Sequence, residues 1–277
     1  MGMSDQNQEV HREKRRRQRR LRVMSLNAMI PNMLTLGALC AGLTSIRFAL
    51  NDRWEAAALA IAVAALLDTL DGRVARLLKS ASKFGAELDS LSDFVCFGVA
   101  PAIVLYLWGL DDTSRFSWIL VLLFSACCGM RLARFNIMLD DPDAPPFQAN
   151  YFTGVPAPAG AGLVLLPLIL SFQVGDSMRH PALISLVMIA VATLLVSRVP
   201  TFSFKRAKIA GNWFLPAMFV VALLVAGVIS APWTTLTVIL VAYIASMPLA
   251  VVRHGRQTRA WKLQHPDDDT PSSSNDD

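Results

Sequence analysis

Asp68, Asp71, Asp89 and Asp93 are the residues whose type and spacing could do chemistry. The first two stand three apart and the last two four apart, and residues at those spacings share one face of a helix. A short basic segment with Gly72 and Gly85 joins the pairs, so the two helices can return antiparallel and bring four carboxylates together. Like charges that close repel strongly unless something positive sits among them. A set of oxygen ligands favours a hard divalent cation, Mg2+ or Mn2+, and two such ions sharing carboxylates would fit a phosphoryl-transfer site. Glu87 and Asp140 also border the apolar blocks, where an ionised carboxylate is costly and therefore a functional candidate. The competing explanation is a set of interfacial salt bridges to Arg73, Arg76, Lys79 and Lys83. It accounts for charge balance, but not for the shared faces or for Asp93 lying one turn deeper.

The elements that must position these carboxylates are membrane helices. The sequence is 54% hydrophobic and only 17% charged, against about 25% charged in soluble domains. Its apolar residues fall in eight blocks, roughly 30–50, 54–70, 86–110, 116–136, 155–174, 180–197, 212–230 and 232–252. Blocks of about 18 or more apolar residues read as transmembrane helices, and a water-soluble chain would have no polar surface left to cover them. The expected fold is all-α, a polytopic integral membrane bundle of about eight transmembrane helices with both termini cytoplasmic. Residues 1–29 form a basic cytoplasmic tail, 30–252 the transmembrane domain with its motif at 68–93, and 253–277 a polar cytoplasmic tail. Only residues 230–233 separate the last two blocks, so a re-entrant hairpin is the alternative there.

Charge sets the orientation. With both ends inside, 22 of the 26 Lys and Arg residues fall on inside segments, and only Arg47, Arg53, Arg115 and Arg179 fall outside, the bias expected of inside loops. Residues 11–22 hold eight of the inside charges. A basic run just before a membrane helix lies on anionic headgroups more often than on nucleic acid, and Lys205, Arg206 and Lys208 take the same reading. Residues 1–28 do not read as a cleaved signal peptide, because their basic part is long and no small-residue cleavage site follows. The acidic end beyond His265 reads as disordered. Cys40, Cys96, Cys127 and Cys128 lie in apolar blocks without metal-ligand spacing and read as small packing residues.

The string Asp68-Thr-Leu-Asp71-Gly72-Arg-Val-Ala75-Arg76, followed at fixed spacing by Gly85, Asp89 and Asp93, resembles the full signature of the CDP-alcohol phosphotransferase family. The resemblance implies that Asp68, Asp71 and Asp89 ligate two metal ions. It implies that Asp93 is the general base for the acceptor hydroxyl and an additional ligand. Gly72, Ala75 and Gly85 would let the cytidine nucleotide approach the backbone, where a larger side chain would block it. Arg76 would pair with the diphosphate, which suits a permanently charged fork. Asn32 and Thr35, beside Pro31 at the start of block one, would lie near the nucleotide, although a helix-start role fits them equally.

Arg131-Leu-Ala-Arg134-Phe-Asn136 at the inner end of block four and Tyr151-Phe-Thr-Gly-Val-Pro156-Ala-Pro158 before block five resemble the membrane-embedded phosphatidylserine synthase branch of that family. This implies CDP-diacylglycerol and L-serine as substrates, with Arg131, Arg134 and Asn136 gripping the acceptor carboxylate. Positive-inside anchoring is the plainer account of the two arginines. A homodimer embedded among membrane lipids, with no nucleic acid partner and its site at the cytoplasmic face of the cell membrane, is also implied. Glycerol 3-phosphate or inositol phosphate are the alternative acceptors. A divalent-cation transporter is the alternative of another class, disfavoured because the carboxylates cluster at one edge of two adjacent helices.

Overall fold

The computed structural model describes residues 26–80, 82–110, 117–139, 151–197, 200–202 and 214–264. The basic run at 11–22, Arg115, Asp140, the Lys205–Arg206–Lys208 cluster and the tail beyond Gln264 lie outside the described residues.

Every apolar block becomes a helix. The first two, α1 (Leu26–Ala49) and α2 (Trp54–Leu77), form the most extensively packed pair. Between them the chain reverses through Asp52 at φ 54°, a left-handed position that Asp tolerates better than most residues. Next comes α3 (Lys83–Asp93), started by Ser82, whose hydroxyl accepts the Gly85 N–H at 3.0 Å. The chain runs on without a break through a π-helical turn, Phe94–Val99, into α4 (Ala100–Gly109). After α5 (Ser117–Leu139) come α6 (Ala157–Val164) and α7 (Leu166–Val174), two halves of one apolar block bent by 41°. Pro167 at the start of the second half explains the bend, since proline cannot donate to the preceding turn. A single 3-10 turn, Asp176–Met178, leads to α8 (Pro181–Val196), and the chain ends in α9 (Phe214–Ser230) and α10 (Pro232–Gln264).

Three segments, Met29–Ala49, Lys83–Gly109 and Ser117–Met138, are long and apolar enough to cross a membrane, or four if the bent pair is one span. The α2 helix has the length but carries Glu55, Asp68, Asp71, Arg73 and Arg76. The Pro181–Val196, Met218–Ser230 and Pro232–Pro248 stretches are apolar but shorter. Phe97, Phe124, Leu105, Leu168, Ile184 and Met188 are fully buried and form the centre of the bundle. Met33, Leu66, Phe219 and Ile229 are more than half exposed. Such apolar surface is unfavourable in water and is what a helix facing lipid carries.

Among the described residues, one short ribbon departs from an all-helical bundle. Strands β1 (Tyr151–Thr153) and β2 (Pro200–Phe202) pair antiparallel, with Phe152 opposite Thr201, and tie together the segments flanking α6 and α8. Gly154 follows at φ 84°, and a Cβ there would sit 2.9 Å from the Ser197 carbonyl oxygen and 3.0 Å from that of Leu195. Gly154→Ala should therefore destabilise the protein by about 1–3 kcal/mol. A thermal melt in detergent that matches wild type would remove the ribbon from the stabilising framework. At the other end, α10 continues to Gln264.

Candidate active site

The four aspartates lie where α2 ends and α3 begins its passage into the bundle. Asp71 is 4% exposed and Asp68 and Asp89 are half-buried. Asp68, Asp71 and Asp89 each offer a carboxylate oxygen, and these oxygens lie within 4.8 Å of one another. The Asp93 carboxyl lies against that of Asp68, within hydrogen-bonding reach. The two same-face pairs therefore meet as one cluster.

Arg131 is the cation that acts on this cluster among the described residues, through Asp93. It is 8% exposed, and its guanidinium stands 5.4 Å from the Phe135 ring centroid. Close packing of α5 on the π-helical turn brings it there. A Cβ on Gly98 would lie 3.0 Å from Cys128 Cβ, so glycine at that position allows the approach. The Ser125 hydroxyl donates to the Gly98 carbonyl at 3.1 Å, a second tie between α5 and the π-helical turn. Arg73, Arg76 and Lys79 are exposed. The charged groups acting on the four carboxylates are one another and Arg131, rather than the basic segment between the helices.

That donor set fits a hard divalent cation. It offers carboxylate oxygens close enough to share an ion, and too little positive charge from the protein to hold them together ionised. Gly72 is exposed, with open space where a Cβ would project. At Gly85 the corresponding space is already filled, by Asn32 Oδ1 at 3.0 Å and Ser82 Oγ at 3.1 Å. The α3 start is thus packed on α1, and Asn32 faces Gly85. Ala75 is half-buried and Arg76 exposed, one turn beyond Asp71.

The remaining expected positions divide. Thr35 is buried, and its hydroxyl donates to Asp71 Oδ2 at 2.6 Å. Arg134 donates to the Val196 carbonyl at 2.9 Å, at the end of α8. The Asn136 amide donates to Ser90 Oγ at 2.9 Å. Arg131 is thus brought to the carboxylates, whereas Arg134 and Asn136 join α5 to its neighbours. Ser90, Ser92 and Tyr243 were not singled out by their types or spacing. Tyr243, on α10, lies near Arg131, with its hydroxyl buried. The one available signal was that two serines interleave with Asp89 and Asp93 on a helix that must bury one face.

A bundle of apolar helices that gathers four carboxylates and one buried arginine at the junction of two helices has the makings of a metal-dependent transferase working at a lipid surface. The family model described as CDP-alcohol phosphatidyltransferase matches residues 28–199, and a second, CDP-alcohol phosphatidyltransferase 2, matches 212–248. The chain belongs to the CDP-alcohol phosphatidyltransferase family. It is similar to a Mycobacterium tuberculosis protein named CDP-diacylglycerol–serine O-phosphatidyltransferase, 39% identical over 246 residues, 88% of this chain and 84% of the relative. A Helicobacter pylori protein of the same name is 33% identical over 218 residues, 78% of this chain and 88% of the relative. One from Saccharomyces cerevisiae is 45% identical over 101 residues, 35% of this chain and 36% of the relative.

Proposed function

We propose that the chain transfers the phosphatidyl group of CDP-diacylglycerol to the hydroxyl of L-serine, giving phosphatidylserine and CMP. The serine oxygen forms its bond to the lipid-side phosphorus, the diphosphate P–O bond breaks, and CMP departs with the bridging oxygen. The observation that carries this reading is the meeting of Asp68, Asp71 and Asp89 within 4.8 Å, with Asp93 against Asp68 and Arg131 acting on Asp93. The names and coverage of the relatives support serine as the acceptor.

In this reading Asp68, Asp71 and Asp89, with Asp93 beside them, would hold two ions, Mg2+ or Mn2+, which would supply the positive charge that neutralises the diphosphate and stabilises the departing CMP oxygen. Asp93 takes the proton from the serine hydroxyl as the oxygen attacks. Arg131 receives the serine carboxylate through its paired N–H groups, and Arg134 and Asn136 keep α5 in place around it. Gly72 leaves room for the nucleotide, Ala75 and Asn32 line its approach, Gly85 packs the start of α3 on α1, and Arg76, exposed at the surface, reaches the diphosphate.

The charge distribution supports about eight spans, with the 1–29 and 253–277 tails and the active site on the cytoplasmic side of the cell membrane. The family resemblance supports a homodimer. Purified protein with CDP-diacylglycerol and Mg2+ or Mn2+ should release CMP when L-serine is added, and much less with glycerol 3-phosphate or inositol phosphate. Release with glycerol 3-phosphate but not with serine would overturn the acceptor.

A further inference from the structure

We propose that Thr35 is a positioning residue for the acidic site, acting on Asp71 and on the α3 carboxylates at once. The proposal rests on the reading of Asp68, Asp71 and Asp89 as metal ligands. Thr35 lies on α1, a helix that supplies no carboxylate to the cluster, and is 4% exposed. Its hydroxyl stands 2.6 Å from Asp71 Oδ2 and 3.1 Å from the Pro31 carbonyl oxygen. It has one proton to give, and the shorter distance falls in the range of a hydroxyl donating to an ionised carboxylate, about 2.5–2.7 Å. Oδ2 of Asp71 is thereby oriented, and one of its lone pairs is taken by a neutral donor. The remaining lone pairs of the carboxylate are left for an ion shared with Asp68 and Asp89.

The Thr35 backbone works in the other direction. Its carbonyl accepts the Ser92 hydroxyl at 3.2 Å, and one turn along, the Ala38 carbonyl accepts the Cys96 thiol at 3.2 Å. Ser92 is 3% exposed and sits between Asp89 and Asp93 in sequence. The α1 backbone thus holds α3 while the Thr35 side chain holds α2. One residue thereby sets how the two carboxylate-bearing helices stand relative to each other. Repulsion among the carboxylates would otherwise turn Asp71 away from the cluster. This commitment of the hydroxyl separates the role from contact with the nucleotide.

The test is Mn2+ binding to the full chain in detergent without CDP-diacylglycerol, with free Mn2+ read by electron paramagnetic resonance. Thr35→Val keeps the shape and removes the hydroxyl. It should weaken Mn2+ binding by about 10- to 100-fold, the usual effect of losing a partner that orients a metal ligand. Thr35→Ser should restore most of the loss. Ser92→Ala should weaken binding in the same direction by less, and it carries the test if Thr35→Val does not fold. Unchanged Mn2+ affinity in Thr35→Val, or in Ser92→Ala where only that variant folds, overturns the proposal. A raised KM for CDP-diacylglycerol with unchanged Mn2+ affinity assigns the hydroxyl to the nucleotide instead. Failure of the wild type to bind Mn2+ overturns the metal site itself, a separate result.

Discussion

Asp93→Asn should lower kcat by about 10²- to 10⁴-fold, the range a positioned general base contributes, while CDP still binds. Asp93 stands directly before the π-helical turn, and both Asp68 and Arg131 act on it. Asparagine fills the same volume and keeps an oxygen that can face a cation. It cannot take up a proton at the pH of the reaction. The variant should therefore retain nucleotide binding and most of its metal affinity and lose turnover with serine. CMP release and equilibrium CDP binding, measured on the same preparation, separate the possibilities. Activity equal to wild type removes Asp93 from proton transfer. Loss of binding in step with activity makes Asp93 a ligand rather than a base.

The cluster itself was legible because helical spacing and membrane burial both act on it. Three- and four-residue spacing puts each pair on one face, and charge in an apolar block has few reasons to be there other than function. The helices were legible as apolar blocks, so every block is helical in the structure. The internal breaks were not. The 41° bend between α6 and α7 and the π turn at Phe94–Val99 depend on what packs against them, and their residues read as continuous apolar sequence. The β1–β2 ribbon is three residues a side, too short for alternation to register. Around the site, type was readable and direction was not. Asn136 is five residues past Arg131, and at about 100° per residue it points some 140° away on the helix. The two could not converge on one ligand from a single straight helix, and Asn136 meets Ser90 instead. The family resemblance puts Thr35 near the nucleotide and a helix-start role fits it equally, but no rule of spacing within α1 could reveal a partner 36 residues away.

Arg131→Lys should raise the KM for serine by about 10- to 100-fold, the cost of one charge-assisted hydrogen bond of about 1.5–3 kcal/mol, with little change in the KM for CDP-diacylglycerol. Arg131 has two tasks in the proposed reaction, and the substitution divides them. The positive charge offsets Asp93 in a buried setting, and lysine keeps that charge. The fork that grips a carboxylate through two parallel N–H groups is lost. Lysine would also lose the flat stacking surface that Phe135 now faces. Arg131→Met is the harsher control: it removes the charge, leaves Asp93 without its cation, and should abolish turnover with every acceptor. If Arg131→Lys lowers kcat and leaves the serine KM unchanged, the arginine serves Asp93 alone and the acceptor carboxylate is held elsewhere. Tyr243 then becomes the first place to look, because α10 brings it to the same guanidinium. It lies in the 212–248 stretch that the second family model matches, so the C-terminal helices would contribute to choosing the acceptor as well as to crossing the membrane.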